Sequence, residues 1–196
     1  MKRLILTLFL LLSAVLAQQD ATLSGLIKTE GEMPEGTRVA VHVVDQDNVW
    51  QREVISIAPV GGTFSITTEP LPAEELVPFR SGAVLLPGLQ NEYTVTPEDI
   101  NYVQGRVNMY VDANENGIFD RVVDAFYIGV PSLQEPIGFF SLIYVDKDAM
   151  VSGKGIDLNL KAGWNIFTVR FPDGGEKQEY AVEPLVDDAV LDVFLP

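Results

Sequence analysis

The sequence YVDANENGIFDRVVD, residues 110–124, places oxygen-bearing side chains at alternating positions around a single glycine. These positions are Asp112, Asn114, Asn116 and, three residues after Gly117, Asp120. In a tightly curled segment such side chains can turn inward together, and the glycine permits the sharp bend. The flanking residues, 106–111 and 125–128, are rich in β-branched and aromatic types, which predicts strands. The stretch therefore predicts two strands joined by a loop lined with oxygen atoms.

This spacing favours a calcium site. Ca²⁺ is a hard cation that takes carboxylate, amide and backbone carbonyl oxygens as ligands. The alternative is a hairpin turn formed by Asn116 and Gly117, with polar neighbours that face solvent. Such a turn explains those two residues, but it leaves the three side chains of Asp112, Asn114 and Asp120 without a reason. The sequence therefore predicts that this loop binds calcium.

The loop resembles two families. It is similar to the first nine positions of an EF-hand loop and, more closely, to the DxNxNGxxD segments of secreted bacterial β-sandwich modules such as the SD-repeat B-type domains. The resemblance implies side-chain ligands at Asp112, Asn114, Asn116 and Asp120, and a carbonyl ligand at Ile118. Both families place a bidentate glutamate at the twelfth position, where this chain has Val123. Asp124 is the nearest replacement, and we expect a modest affinity.

The first 17 residues have the features of a secretory signal peptide. Two basic residues precede an apolar run at 4–12, and small residues lead to a cleavage site after Ala17. Gln18 stands where a lipoprotein would have cysteine, so a lipid anchor is not expected. We expect an exported chain, periplasmic or extracellular, with no transmembrane segment after cleavage.

Composition narrows the function further. The chain has a formal net charge of −15, which disfavours electrostatic binding to nucleic acid or to an anionic membrane. It has no cysteine and one histidine, His42, which excludes Cys–His nucleophiles and His-rich zinc sites. His42 lies in the middle of a predicted strand and is expected to be structural or to face solvent. No catalytic constellation is identifiable, so we expect a protein that is not an enzyme.

Short segments of alternating hydrophobicity, separated by turn signals, predict an all-β fold, specifically an antiparallel β-sandwich with one or two sandwiches. The clearest predicted strands are residues 38–45, 50–57, 63–67, 139–145, 156–161 and 164–171. The run Thr96-Pro97-Glu98-Asp99 has the features of a helix start, which predicts one short helix near 97–104. A boundary there would divide an N-terminal region, 18–104, from a C-terminal region, 105–196. One continuous domain is the alternative.

Three segments of the N-terminal region, 23–27, 38–41 and 62–66, resemble strands of carboxypeptidase-regulatory-like and transthyretin-like domains of secreted proteins. The resemblance implies an Ig-like or transthyretin-like sandwich that acts as a non-catalytic scaffold.

These features predict a secreted or periplasmic β-sandwich protein with a structural calcium loop. Its role would be binding or envelope scaffolding, with a protein or glycan partner. The alternative is a carbohydrate-binding or carbohydrate-acting module in which calcium orders a loop beside an exposed aromatic platform. That alternative requires an exposed indole at Trp50 or Trp164. A third possibility is an adhesion subunit that pairs an unprotected edge strand with a partner.

Overall fold

The computed structural model describes residues 18–44, 50–80, 85–86, 93–127, 129–153, 155–175 and 177–194. The predicted signal peptide lies outside these ranges. The described strands are β1 (Thr22–Thr29), β2 (Thr37–Val44), β3 (Trp50–Ile57), β4 (Thr63–Thr67), β5 (Val77–Pro78), β6 (Tyr93–Thr96), β7 (Asn101–Val111), β8 (Ala125–Tyr127), β9 (Gly129–Gln134), β10 (Ile137–Val145), β11 (Ala149–Gly153), β12 (Ile156–Leu160), β13 (Gly163–Arg170), β14 (Glu179–Glu183) and β15 (Leu185–Val193). Ala73–Glu75 forms one 3₁₀ turn. The all-β prediction is confirmed.

The main sheet is mixed and nearly closed into a barrel-like shape. It has twelve strands, and its longest path runs β3-β2-β7-β10-β9-β15-β1-β4. The end strands β3 and β4 contact each other. β1 pairs with β15 in parallel, whereas the other strand pairs of this sheet are antiparallel. The simple antiparallel sandwich predicted from the sequence is therefore replaced by one large curved sheet with a parallel pair.

A small sheet of order β12-β11-β6 covers one side of the main sheet. Apolar side chains accordingly form two clusters. The barrel core, enclosed by the main sheet, includes Leu23, Val41, Met109, Leu142, Trp164 and Leu191. The side core, which packs against the small sheet, includes Leu85, Leu86, Val151, Leu158 and Phe167. No helix with the length and hydropathy of a membrane span occurs in the ranges that the structure describes.

The short helix predicted near 97–104 is wrong, because residues 101–104 belong to β7 and residues 97–99 form a bend and a turn. β10 pairs with one edge of this part of β7, and β5 and β2 pair with the other edge. Both faces are also covered, with Val103 in the barrel core and Tyr102 in the side core. Burial on two faces favours a central strand over a short helix. The side chain of Asp99 pairs with Lys147 Nζ at 3.0 Å. The local signal for a helix start is therefore overridden by long-range pairing.

The boundary predicted after residue 104 falls within β7. Strands from both predicted regions belong to the main sheet and contribute side chains to the barrel core.

The indole of Trp164 offers a direct test of the barrel core. Its side chain is fully buried, and Nε1 donates a hydrogen bond to the carbonyl oxygen of Glu69 at 2.7 Å. We expect Trp164→Phe to lower the free energy of unfolding by about 2 kcal/mol, through lost packing volume and an unpaired carbonyl. Urea unfolding measures this change. Trp50→Phe, at a half-buried position, is the matched control and should have the smaller effect; an equal loss from both would contradict the assignment.

Candidate calcium loop and the strands beneath it

The predicted loop connects β7 to β8 and folds back over the outer face of the main sheet. Val41 and Met109 point into the barrel core, so their neighbours along β2 and β7 point outward. Among these outward residues, Tyr110 has no exposed surface, because the loop covers it. The predicted strands on either side of the loop are confirmed as the end of β7 and as β8; residue 128, the last of the second predicted strand, lies outside the described residues.

The first half of the loop curls around Asp112, which is 6% exposed. Its two carboxylate oxygens accept hydrogen bonds from the backbone N–H groups of Asn116, at 3.1 Å, and Gly117, at 2.7 Å. The Asn116 N–H group is shared with Asn114 Oδ1 at 3.2 Å. The side chain of Asn116 in turn accepts from the N–H group of Ile118 at 2.7 Å. The oxygens at the first three predicted ligand positions therefore turn toward the loop's own backbone.

The second half of the loop is closed by Asp124. One carboxylate oxygen accepts from the Ala113 N–H group at 2.9 Å, and the other accepts from the Asp120 N–H group at 2.7 Å. Asp120 Oδ1 accepts from the Val122 N–H group at 2.9 Å. Asp124 thus joins the two ends of the loop, and this bridging role was not visible in the sequence.

The bare hairpin turn is not formed. A two-residue turn of the type favoured by Asn-Gly needs positive φ at both residues. Positive φ instead occurs at Glu115 (57°) and Gly117 (78°), and residues 112–124 separate the two strands. Asn116 is not among the positive-φ residues. The polar residues therefore form a longer, internally bonded loop.

The donor set of the loop fits calcium better than it fits a transition metal. It contains carboxylate, amide and carbonyl oxygens, and each oxygen that accepts one backbone N–H keeps further acceptor capacity. Within the described ranges, no three Asp, Glu, His or Cys side chains are grouped so that they could hold a metal ion. The three aspartates of the loop therefore do not suffice, and amide and carbonyl oxygens would have to complete the coordination. A site with few carboxylates is expected to bind calcium weakly.

Phe119 anchors the loop in an aromatic cluster on the outer face of the sheet. The cluster consists of His42, Trp50, Tyr110, Phe119 and Phe126. The ring of Phe119 lies 5.2 Å from Tyr110 and 5.6 Å from both His42 and Trp50, measured between ring centroids. Phe119 was not singled out in the sequence, although it is the one aromatic residue between the predicted ligands. Its ring contacts fix the middle of the loop against β2, β3 and β7.

His42 lies beneath this loop in an apolar setting. It is 2% exposed and stacks on Trp50 with ring centroids 4.4 Å apart. Neither ring nitrogen has a hydrogen-bond partner among the described residues, and Glu53 Oε2 is 3.8 Å from Nε2. Burial, with a smaller contribution from the charge of Arg121, lowers the pKa of His42 to about 4. His42 is therefore neutral at pH 7 and has no access to solvent.

Burial also favours the neutral form of the neighbouring phenol of Tyr110. Burial raises the pKa of Tyr110 to about 12, and its hydroxyl lies 3.3 Å from Ser56 Oγ. It stays protonated at physiological pH and serves as a neutral hydrogen-bonding group under the loop.

Neither tryptophan offers a free ring for sugar stacking. Trp164 is fully buried in the barrel core. Trp50 is half-buried, with His42 stacked on it and Phe126 packed edge-on at 4.2 Å. The aromatic platform required by the carbohydrate alternative is therefore absent at Trp164 and largely covered at Trp50.

Comparison of the chain with protein-family models, with curated proteins and with solved structures finds no match. The fold defines the chain as an all-β protein with a large mixed sheet, and its function is inferred from its own residues.

Proposed function

We propose that this chain is an exported, non-catalytic β-protein that binds calcium structurally through loop 112–124. Its role would be binding or scaffolding in the periplasm or outside the cell. The observation that carries the proposal is the geometry of Asp112, Asn114 and Asn116. Asp112 and Asn114 accept from the same Asn116 N–H group, and Asn116 accepts from the Ile118 N–H group two residues further on, so all three oxygens lie along one tight curl. Alternating oxygens of this kind are what a hard cation uses.

The fastening of the loop supports a structural role for the metal. Asp124 ties the loop ends together, and Phe119 packs its middle against the sheet. A loop that is already closed loses little conformational freedom when an ion binds, and preorganisation of this kind strengthens binding. Calcium would supply positive charge to the aspartates of a strongly acidic chain and hold the loop between β7 and β8 against the outer face of the sheet.

The chemistry of the face beneath the loop favours a role that is not catalytic. His42, the only histidine, is neutral, buried and enclosed by aromatic rings. A general base must reach the proton that it abstracts. The likeness of the N-terminal strands to transthyretin-like scaffold domains also favours a non-catalytic role and is part of this proposal.

Calcium is expected to stabilise the mature chain against heat. At a free calcium concentration ten times the dissociation constant, the free energy of unfolding should rise by about 1.4 kcal/mol, because the ion binds only the folded state. For a chain of this size, that corresponds to a rise in Tm of roughly 3–6 °C. Thermal melts with millimolar calcium or with EGTA measure the shift, and isothermal titration gives the Kd.

Magnesium serves as the ion control, since it requires an octahedral site and gives up water reluctantly. Asp120→Asn should reduce the calcium shift, whereas Asp157→Asn, an exposed aspartate on β12, should not. The proposal is contradicted if millimolar calcium changes neither Tm nor the heat of titration of the wild-type chain.

A further inference from the structure

Two side chains of β3 hold the loop on either side of Ile118. Ser56 Oγ donates to the carbonyl oxygen of Gly117 at 3.0 Å, and Glu53 Oε2 accepts from the N–H group of Phe119 at 3.2 Å. Both residues are more than sixty positions from their partners, so neither bond follows from local sequence. Two side chains of β3 therefore hydrogen-bond to the two peptide groups that flank Ile118.

These two bonds set the directions of both peptide groups, because a trans peptide points its C=O and N–H in opposite directions. The carbonyl of the peptide between Gly117 and Ile118 points toward Ser56. Its N–H group accordingly points away from β3, where it bonds to Asn116 Oδ1 at 2.7 Å. The next peptide is reversed: its N–H group points toward Glu53, so its C=O, the carbonyl of Ile118, points away from β3.

We propose that Glu53 and Ser56 are positioning residues that aim the carbonyl of Ile118 at the metal. This inference rests on the proposed calcium site and adds residues that the loop sequence does not contain. Carbonyl ligation requires that the oxygen of Ile118 turn away from the sheet and toward the side where the Asn116 oxygen lies. The two β3 contacts produce that orientation before any ion binds.

Each positioning residue is itself held in place. Ser56 Oγ accepts a hydrogen bond from Arg38 Nε at 2.9 Å, so its own proton is left for the carbonyl of Gly117. Arg38 also donates from Nη2 to the backbone oxygen of Ser56 at 3.2 Å. The side chain of Glu53 is only 10% exposed. A carboxylate that is so buried needs hydrogen bonds, and the Phe119 N–H group supplies one.

The test measures calcium binding by the full mature chain carrying Glu53→Ala, Glu53→Gln or Ser56→Ala. Loss of a hydrogen bond to a charged group is expected to weaken calcium binding by about tenfold in Glu53→Ala. Ser56→Ala should weaken it several-fold. Glu53→Gln keeps an oxygen that can accept from the Phe119 N–H group, so it should remain within about threefold of wild type. Ser65→Ala, an exposed serine on β4, is the matched control for Ser56→Ala.

A second readout separates positioning from general stability. Europium, used as a luminescent substitute for calcium, reports the number of water molecules on the bound ion through its lifetimes in H₂O and D₂O. If the Ile118 carbonyl loses its orientation, about one additional water should replace it in Glu53→Ala, since hard cations fill vacant positions with water. A variant that was merely less stable would show the wild-type hydration number.

The outcomes distinguish this inference from the calcium proposal. If the wild-type chain binds neither calcium nor europium, the calcium proposal fails. If wild type binds but Glu53→Ala and Ser56→Ala bind equally well, with unchanged hydration, positioning by β3 is overturned. Positioning is also overturned if Glu53→Gln is as weak as Glu53→Ala, because the carboxylate would then act through its charge. Should Glu53→Ala fail to fold, Ser56→Ala and Glu53→Gln still decide.

Discussion

Replacing Asp112 by alanine is expected to abolish calcium binding and to lower the stability of the calcium-free protein by about 3 kcal/mol. The carboxylate is buried and accepts from two backbone N–H groups, those of Asn116 and Gly117. A hydrogen bond to a charged group contributes about 1.5–3 kcal/mol, and alanine removes both bonds at once. Urea unfolding in EGTA measures the loss of stability, and isothermal titration measures the loss of calcium binding.

Two further variants are expected to have smaller effects on stability than Asp112→Ala. Asp112→Asn keeps an oxygen for one of the two N–H groups but loses the charge, so it should be intermediate in stability and still bind calcium poorly. Asp120→Ala removes an acceptor that takes one N–H group in a more exposed part of the loop, so its calcium-free stability should fall by about 1 kcal/mol. If Asp112→Ala were as stable as wild type in EGTA, the carboxylate would not hold the curl.

Much of the strand pattern could be predicted because it is local. Residues 50–57 and 63–67 match β3 and β4. The strand predicted at 38–45 matches β2, which begins one residue earlier, and residue 45 lies outside the described residues. The alternation of apolar and polar side chains is clearest along β4, where exposed and buried positions alternate, and it follows directly from the period of a strand. Strand prediction is most reliable where one face of the strand is buried and the strand ends in a turn.

Long-range pairing could not be predicted in the same way. The parallel pairing of β1 with β15 joins the two ends of the described chain, and no local pattern specifies it. Gly25 shows the consequence, because a Cβ atom there would lie 1.9 Å from the carbonyl oxygen of Ala189. The sequence shows a glycine in a strand but not the backbone that approaches it. The helix predicted near 97–104 failed for the same reason, since residues 102–104 lie between β10 on one edge and β5 and β2 on the other.

The candidate site shows the same contrast between what local sequence predicts and what long-range contacts decide. The spacing of Asp112, Asn114, Asn116 and Asp120 predicted the loop, and its flanking strands are confirmed. The groups that fasten the loop were missed because they come from strands distant in sequence. Glu53 is 66 positions from Phe119, and Ser56 is 61 from Gly117. A spacing pattern can indicate which atoms a loop offers, but the tertiary fold decides the direction in which each peptide group points.

Acid is expected to destabilise the protein through His42, by about 3 kcal/mol between pH 6.5 and pH 4. The folded pKa of His42 is lowered to about 4 from an ordinary value of 6.5, so the unfolded chain takes up the proton first as the pH falls. Its stabilising contribution is therefore complete above pH 6.5 and is lost as the pH approaches 4. Urea unfolding at pH 7.0, 5.5 and 4.5 measures the slope.

His42→Phe isolates this effect, because it keeps a ring against Trp50 and removes the titrating group. Carboxylates also titrate in this range, so the informative quantity is the difference in pH slope between wild type and variant. The charged and titratable groups around His42 are Glu53 on β3, Arg121 in the loop, Tyr110 on β7 and Arg106, its register partner on β7. Of these, Glu53 is close enough to offset a charge on the imidazole. Because His42 is the only histidine, its proton resonances give the folded pKa directly. A midpoint near 6.5, or parallel slopes for wild type and His42→Phe, would contradict the burial of this imidazole beneath the loop.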